Sequence, residues 1–370
     1  MTSFDVAVIG GGIIGTSAAV YLAEAGRRVV LLERTAIAAG ASGRNSGVIQ
    51  HPFDAPFASL HHESLHLYRS LDDGTGDFHL PTEPYGLLIL SSDRAAVANA
   101  ADDILRSTPE LRPTLLTPDE LAVAEPALAS GMHACRIETG YPVAPAAATT
   151  AFARRAEHAG ATLRTDADAY PVVDRGRAVG VRLRDTNEFI KAGQILVAAG
   201  PWSPQLLPGW ADRPPIIRSW GVVLATHLDS PPRHVLEELG INEPGRARDR
   251  LFSLVTAGGA SSVGSTFLAH EPDAEALAPR LLERAARFVP ALASATLNGV
   301  RACARPVSLD GRPIIGAIPD VANLFVCAGH GPWGISTGPA SARLIAQVMN
   351  GESYGRSEFL PSRFPISHGG

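Results

Sequence analysis

Lysine is nearly missing from this chain: of 32 basic residues, only Lys191 is a lysine. Beside abundant Ala, Gly and Pro, that reads as genomic bias and not as chemistry. Cysteine is scarce as well. Cys135, Cys303 and Cys327 are too few and too far apart for a disulfide framework, and they suit a reducing compartment. No Cys/His cluster has the spacing of zinc ligands. The adjacent His61 and His62 point to different faces of any regular element, so no metal site is expected. No apolar run approaches the roughly 20 residues that span a bilayer, and no basic stretch leads an apolar one as in a signal peptide. Excess positive charge is absent too. The net charge of −5 speaks against nucleic-acid partners and against a membrane surface. The expectation is a cytoplasmic globular protein, and 370 residues, 45% of them hydrophobic, suffice for two packed domains.

What is present begins with a short apolar run, residues 4–9, followed at once by Gly10, Gly11 and Gly12. Residues 13–25 repeat apolar positions at helical spacing, and Gly26 ends that helix. Residues 28–32 form a second apolar run that stops at Glu33. Past Asp5 and Arg28 both runs are continuously apolar, as strands of a parallel sheet covered on both faces must be. Residues 36–50 read as a loop. Helices are predicted over 56–71, 93–107, 145–159, 274–289 and 336–349, and Thr117, Pro118 and Glu120 mark a further helix start. Strands are predicted over 85–91, 216–226, 251–256, 262–268 and 323–328, with several more across 161–198.

The first turn reads Gly10-x-Gly12-x-x-Gly15. Gly10 permits the tight turn, Gly12 lets backbone approach a pyrophosphate, and Gly15 lets the helix pack closely on the sheet. The helix start offers N–H groups and a positive dipole end to phosphates. Glu33 stands at the end of the second strand, where a carboxylate accepts hydrogen bonds from a ribose diol. Strand, turn, helix, strand and acid together make a dinucleotide site. Glu33 argues against a 2′-phosphate, despite Arg34 beside it. The motif does not separate FAD from NAD.

Three later segments do. Residues 40–50 (GASGRNSGVIQ), 196–203 (LVAAGPWS), and 301–316 with 323–335 (RACARPVSLDGRPIIG, NLFVCAGHGPWGI) resemble the signatures of the D-amino-acid-oxidase-like superfamily. That is the group containing glycine oxidase and monomeric sarcosine oxidase. The resemblance implies FAD. Carried over by position, Gly10, Gly12, Ile14 and Gly15 face the pyrophosphate, and Glu33 and Arg34 the ribose and adenine. Ser42, Arg44, Asn45, Ser46 and Gly47 line the pyrophosphate and flavin edge, and Ala169 pairs with adenine. Ala199, Gly200 and Trp202 pass beside the cofactor, and Gly331, Gly334, Ile335 and Ser336 lie at the pyrimidine end of its ring.

The same resemblance implies removal of a hydride from a carbon bearing an amine, giving an imine that water hydrolyses. Arg305 falls where glycine oxidase has its carboxylate-binding arginine; the alternative is a structural ion pair with an acid such as Asp310. Arg301 and Arg218 are lesser candidates. His330, Trp333 and His51 are candidates for the pocket wall or for a polar contact, each with a packing role as the alternative. Pro332 stands where glycine oxidase has an arginine. Cys303 stands where sarcosine oxidase attaches its flavin covalently, but Ala304-Arg305-Pro306 follows it, the glycine-oxidase pattern, so a non-covalent flavin is expected. Ser262 falls near the place of the oxygen-activating lysine of sarcosine oxidase, so no lysine serves that role here.

The expected fold is α/β: a Rossmann-like FAD-binding domain of the glutathione-reductase type, and a second, mixed antiparallel-sheet substrate domain. Residues 1–85, 141–215 and 300–370 are assigned to the first, and 86–140 with 216–299 to the second. The expected activity is oxidation of the C–N bond of glycine, an N-substituted glycine or a D-amino acid. Dioxygen is the expected acceptor. An FAD-dependent 2-hydroxy-acid dehydrogenase with a quinone or protein acceptor is the alternative, and would need a histidine base.

Overall fold

The computed structural model describes residues 3–72, 74, 76, 78–241, 250–353 and 355–364. Strand Ser3–Ile9 and strand Val29–Leu32 pair in parallel, joined by helix Ile13–Glu24. On the other flank of Ser3–Ile9 lies strand Phe189–Val197, then Leu324–Ala328, both parallel to it. Thr162–Arg164 extends the parallel run beyond Val29–Leu32, and Ile314–Ala317 closes the far edge antiparallel. Alternate residues divide the core. Val6, Val8, Val29, Leu31 and Leu196 turn to a layer shared with helices Ile13–Glu24, Ala147–His158 and Gly334–Met349. Ala7, Ile9, Val30, Leu32, Ile195 and Val197 turn to the opposite layer. This two-sided burial is what the unbroken apolar runs require.

A second eight-stranded sheet has the order Leu297–Ser308, Ile216–Thr226, Ala260–Gly264, Ser253–Ala257, Val235–Glu238, Leu87–Ser91, His133–Ile137 and Thr114–Leu116. All its pairings are antiparallel except Val235–Glu238 with Leu87–Ser91. One face, with Leu88, Val222, Leu224, Leu236, Leu254 and Val263, packs under helix Ala274–Ala286. The molecule is thus mixed α/β with two large sheets.

Three features depart from the sequence reading. The expected loop 36–50 contains a helical turn, Ala41–Arg44, and a strand, Val48–Ile49, paired with Tyr141–Pro142. Strands His133–Ile137 and Val235–Glu238 were not anticipated. Strand Leu297–Ser308 runs across residue 300, where the sequence reading sets a domain boundary, and it pairs with Ile216–Thr226 along its whole length. No helix among the described residues is long and apolar enough to cross a membrane.

Candidate active site

A cavity of about 640 Å³ runs between the two sheets. That volume lies in the range of small-molecule and cofactor sites. At one end it is lined by Gly10, Gly12, Ile14, Glu33, Arg34 and Ala169, and at the other by Arg305, Phe267, Trp220 and Glu237. Ser42, Arg44, Asn45, Ser46, Ala199, Gly200 and Trp202 form its sides, with Gly331, Gly334, Ile335 and Ser336 at the start of helix Gly334–Met349. Segments spread over the whole sequence therefore meet around one elongated space.

The nucleotide end is built by close backbone approach. Gly10 has φ +115°, and a Cβ there would lie 2.5 Å from the carbonyl oxygen of Ala198. A Cβ on Gly12 would reach 3.0 Å from Ser42 Oγ, which accepts the Ile13 N–H at 2.9 Å. The loop 40–50 thus holds the first turn of helix Ile13–Glu24. Glu33 braces the glycine turn directly: its carboxylate accepts from Gly11 N at 2.7 Å and from Thr35 N at 2.9 Å. Arg34 stacks 4.9 Å over the Trp202 ring, and Arg218 lies 5.9 Å from the same ring. A long cradle with glycines at the turn, an acid at one end and a helix start at the other fits a flavin dinucleotide. The glycine turn and first helix would hold the pyrophosphate, and Gly331 to Ser336 the pyrimidine edge.

Five candidates do not line this cavity, the lesser Arg218 and Arg301 among them. Gly15 packs helix against turn: a Cβ there would fall 1.9 Å from the Gly10 carbonyl oxygen. Gly47 has φ +83° and approaches the Val143 carbonyl, so it shapes the loop from behind. His51 is buried behind the wall. Its Nδ1 accepts from Phe53 N at 3.2 Å, its backbone N–H donates to Thr139, and its ring centroid is 5.5 Å from that of His61 and 5.7 Å from that of His62. The two adjacent histidines thus converge on one partner, which their spacing did not suggest. Among the described residues no group of three ligands suits a metal ion. Burial holds His51 down at about 4 and His61 at about 3.

Arg305 lies at the opposite end. Its Nη1 donates to the Thr266 carbonyl at 2.9 Å and its Nη2 to Ser265 Oγ at 2.7 Å. The Phe267 ring stacks on the guanidinium at 4.4 Å, and burial lowers its pKa. Asp310 does not pair with it; that carboxylate is bound by Arg363 at 2.6 Å. No acid forms an ion pair with Arg305 among the described residues. A charge so enclosed costs several kcal/mol unless an anion meets it. Arg301 is engaged elsewhere, donating to the Asn45 carbonyl at 2.9 Å and to Ser262 Oγ at 2.7 Å. The place read as lacking a lysine therefore holds a guanidinium.

His330 lines the cavity but is 1% exposed, and Nε2 meets Ser341 Oγ at 2.9 Å. Ser341 donates its own proton to Thr337 O, so Nε2 carries the ring hydrogen. Burial pushes this imidazole down to about 3. Trp333 is half-buried on the wall, edge-on to Phe53. Cys303 is 6% exposed; burial raises its thiol pKa, outweighing Arg305, Arg301 and Arg44 nearby. The residues that sequence reasoning missed are Gly221, Ser265, Thr266 and Phe267 around Arg305, and the Gln50–Glu237 pair. Only Gly221 left a signal, a glycine inside a strand.

The family model described as FAD dependent oxidoreductase matches residues 5–348. A glycine oxidase from Pseudomonas aeruginosa is 29% identical over 366 residues, covering 94% of each chain. Among solved structures, glycine oxidase from Bacillus cereus superposes with a TM-score of 0.82 at 24% identity, covering 96% of this chain and all of that one. Iminodiacetate oxidase from Chelativorans sp. gives 0.82 at 25% identity, covering 96% of this chain and 98% of that one.

Proposed function

Because the chain belongs to the FAD dependent oxidoreductase family, we propose that it oxidises the C–N bond of a carboxylate-bearing amine. The substrates proposed are glycine, an N-substituted glycine or a D-amino acid, with dioxygen as final acceptor and hydrogen peroxide as its product. When bound, FAD supplies the two-electron acceptor that takes a hydride from the carbon next to nitrogen. The substrate leaves as an imine, which water hydrolyses to a carbonyl compound and an amine.

One observation carries this reading: a guanidinium enclosed at the end of the cavity with no acid paired to it among the described residues. Ser265, the Thr266 carbonyl and Phe267 hold Arg305 in one orientation. A planar guanidinium so held offers paired donors to a carboxylate and fixes the reacting carbon by that handle. Trp333, Trp220 and Phe267 give the space apolar walls. The names of two relatives, glycine oxidase and iminodiacetate oxidase, support an amine that carries a carboxylate. The hydroxy-acid alternative needs a base. His51 lies outside the cavity; His330 gives Nε2 to Ser341, and its remaining nitrogen, Nδ1, is a weak base because burial holds the imidazole at about 3. Both placements favour the amine.

The test is anaerobic bleaching of the flavin by glycine, sarcosine, longer N-alkyl glycines, D-amino acids and 2-hydroxy acids. Amines bleach it under the proposal; bleaching by hydroxy acids alone refutes it. Arg305→Ala raises the apparent substrate constant while flavin content is retained. Loss of flavin without that rise makes Arg305 structural.

A further inference from the structure

Pro339 lies inside helix Gly334–Met349 and has no N–H. The carbonyl of Ile335, four residues earlier, therefore lacks its usual helical partner. Tyr68 supplies one: its hydroxyl donates to the Ile335 carbonyl at 2.7 Å. The tyrosine belongs to helix Ala55–Leu71 and is fully buried. Two more residues of that helix meet the same stretch. Ser64 Oγ accepts the Ala340 N–H at 3.1 Å, and His61 hydrogen-bonds to the Ser336 backbone. Positions 61, 64 and 68 share one face of their helix. None of the three lines the cavity. One helix thus braces, from outside, the proline-interrupted start of the other.

The Tyr68 bond has an electrical consequence. The Ile335 carbonyl and the Ser336 N–H belong to one resonant peptide group. A donor on its oxygen draws electrons toward that end and makes the N–H a stronger donor in turn. Such relayed bonds are strengthened by about 10–30%. The Ser336 N–H lies in the first turn of the helix, where amides have no acceptor within the helix and point toward its N-terminal end. Gly334, Ile335 and Ser336 line the cavity there. Tyr68 is fixed as a donor. Its ring packs on Phe78 at 5.5 Å and on Phe152 at 5.9 Å, between ring centroids. Burial raises its pKa well above the ordinary value, so the hydroxyl keeps its proton.

We infer that Tyr68, from outside the cavity, tunes the reduction potential of the flavin through the peptide joining Ile335 to Ser336. The pyrimidine end of a flavin gains negative charge on reduction, so a stronger amide donor there favours the reduced form. Tyr68 is then a positioning residue: it polarises the donor and holds the turn that presents it. The inference rests on the pyrimidine edge lying at Gly331 to Ser336, and not on which substrate is oxidised.

The experiment measures the midpoint potential of the FAD-loaded protein, by equilibration with a reference dye and without substrate. Wild type is compared with Tyr68→Phe, Ser64→Ala and the double variant Tyr68→Phe/Pro339→Ala. Phenylalanine keeps the ring packing and removes only the hydroxyl. Tyr68→Phe is expected to shift the reduction equilibrium roughly fivefold toward the oxidised form, a fall of about 20 mV. Ser64→Ala removes one bond of the brace without touching the Ile335 carbonyl, and its potential stays at the wild-type value. In the double variant an alanine at 339 brings back the backbone donor to that carbonyl, so most of the fall is recovered. An unmoved potential in Tyr68→Phe, an equal fall in Ser64→Ala, or no recovery in the double variant overturns the inference. Loss of FAD from Tyr68→Phe makes the tyrosine structural and overturns it as well. None of these outcomes bears on the amine reading, which flavin bleaching by substrate decides separately.

Discussion

The guanidinium of Arg305 lies directly on the backbone of Gly221: a Cβ at 221 would fall 2.4 Å from Nη1 and 2.5 Å from the central carbon. Gly221 pairs with Cys303 on the neighbouring strand, two residues before Arg305. Phe267 covers the other face of the guanidinium at 4.4 Å. The cation is thus confined in a slot one plane thick.

Gly221→Ala closes that slot from one side. The backbone of Gly221 stays in its strand, so the arginine must move and loses its hold on Ser265 and Thr266. Losing one charged hydrogen bond costs about 2 kcal/mol, roughly 30-fold in kcat/KM. Steady-state kinetics with the panel amine should show this fall with flavin content unchanged. Wild-type kinetics in the variant would mean that the guanidinium is not held where substrate meets it.

The acid limb of stability should carry the mark of His330. Its imidazole is held at about 3, below the ordinary value of 6.5, because burial disfavours the cation. Between these values the unfolded chain binds a proton that the folded chain does not. Stability at this site is therefore full above pH 6.5 and falls as pH drops toward 3. His330→Gln removes the proton difference. Between pH 6 and 4, urea unfolding of wild type should lose about 1.4 kcal/mol per pH unit more than the variant does. Parallel curves would show that the imidazole is not buried in its neutral form.

Cys303 should carry no flavin. Its thiol is buried and its pKa raised, so the thiolate needed for attachment is scarce near neutral pH. Acid or heat should release all the FAD, and the intact mass of the denatured chain should equal that of the bare polypeptide. A mass higher by one flavin would refute this.

The glycine turn was legible because its requirements are local. Gly10, Gly12 and Glu33 sit within one strand–helix–strand unit, and each backbone constraint selects a residue type visible in the sequence. The surroundings of Arg305 and Gln50 were not legible, because each partner comes from a distant strand. Ser265 lies 40 residues from Arg305, and Glu237 lies 187 from Gln50. No periodicity records such a meeting. Strand Leu297–Ser308 is an intermediate case. Val300 and Ala302 pack toward the core under helix Ala274–Ala286, whereas Arg301 and Arg305 turn to polar partners on the other side. That alternation is present in the sequence, but arginines in place of a clean apolar face hide it. His51 misled for the opposite reason: it follows the cofactor loop in sequence, yet Thr139 and His61 draw it behind the wall.

The same strand has a thermodynamic consequence. Arg44 in the cofactor loop donates to the Ala302 carbonyl at 3.2 Å, and Arg301 donates back to the Asn45 carbonyl at 2.9 Å. Val307, two residues past Arg305, bridges by backbone to His330, next to the turn that would hold the pyrimidine edge. Through these bonds, a ligand that orders the loop would order the strand as well. On the proposed reading the affinities at the two ends are expected to be linked, and any such linkage is reciprocal: whatever factor FAD would add to the grip on a carboxylate, the carboxylate would add to the grip on FAD.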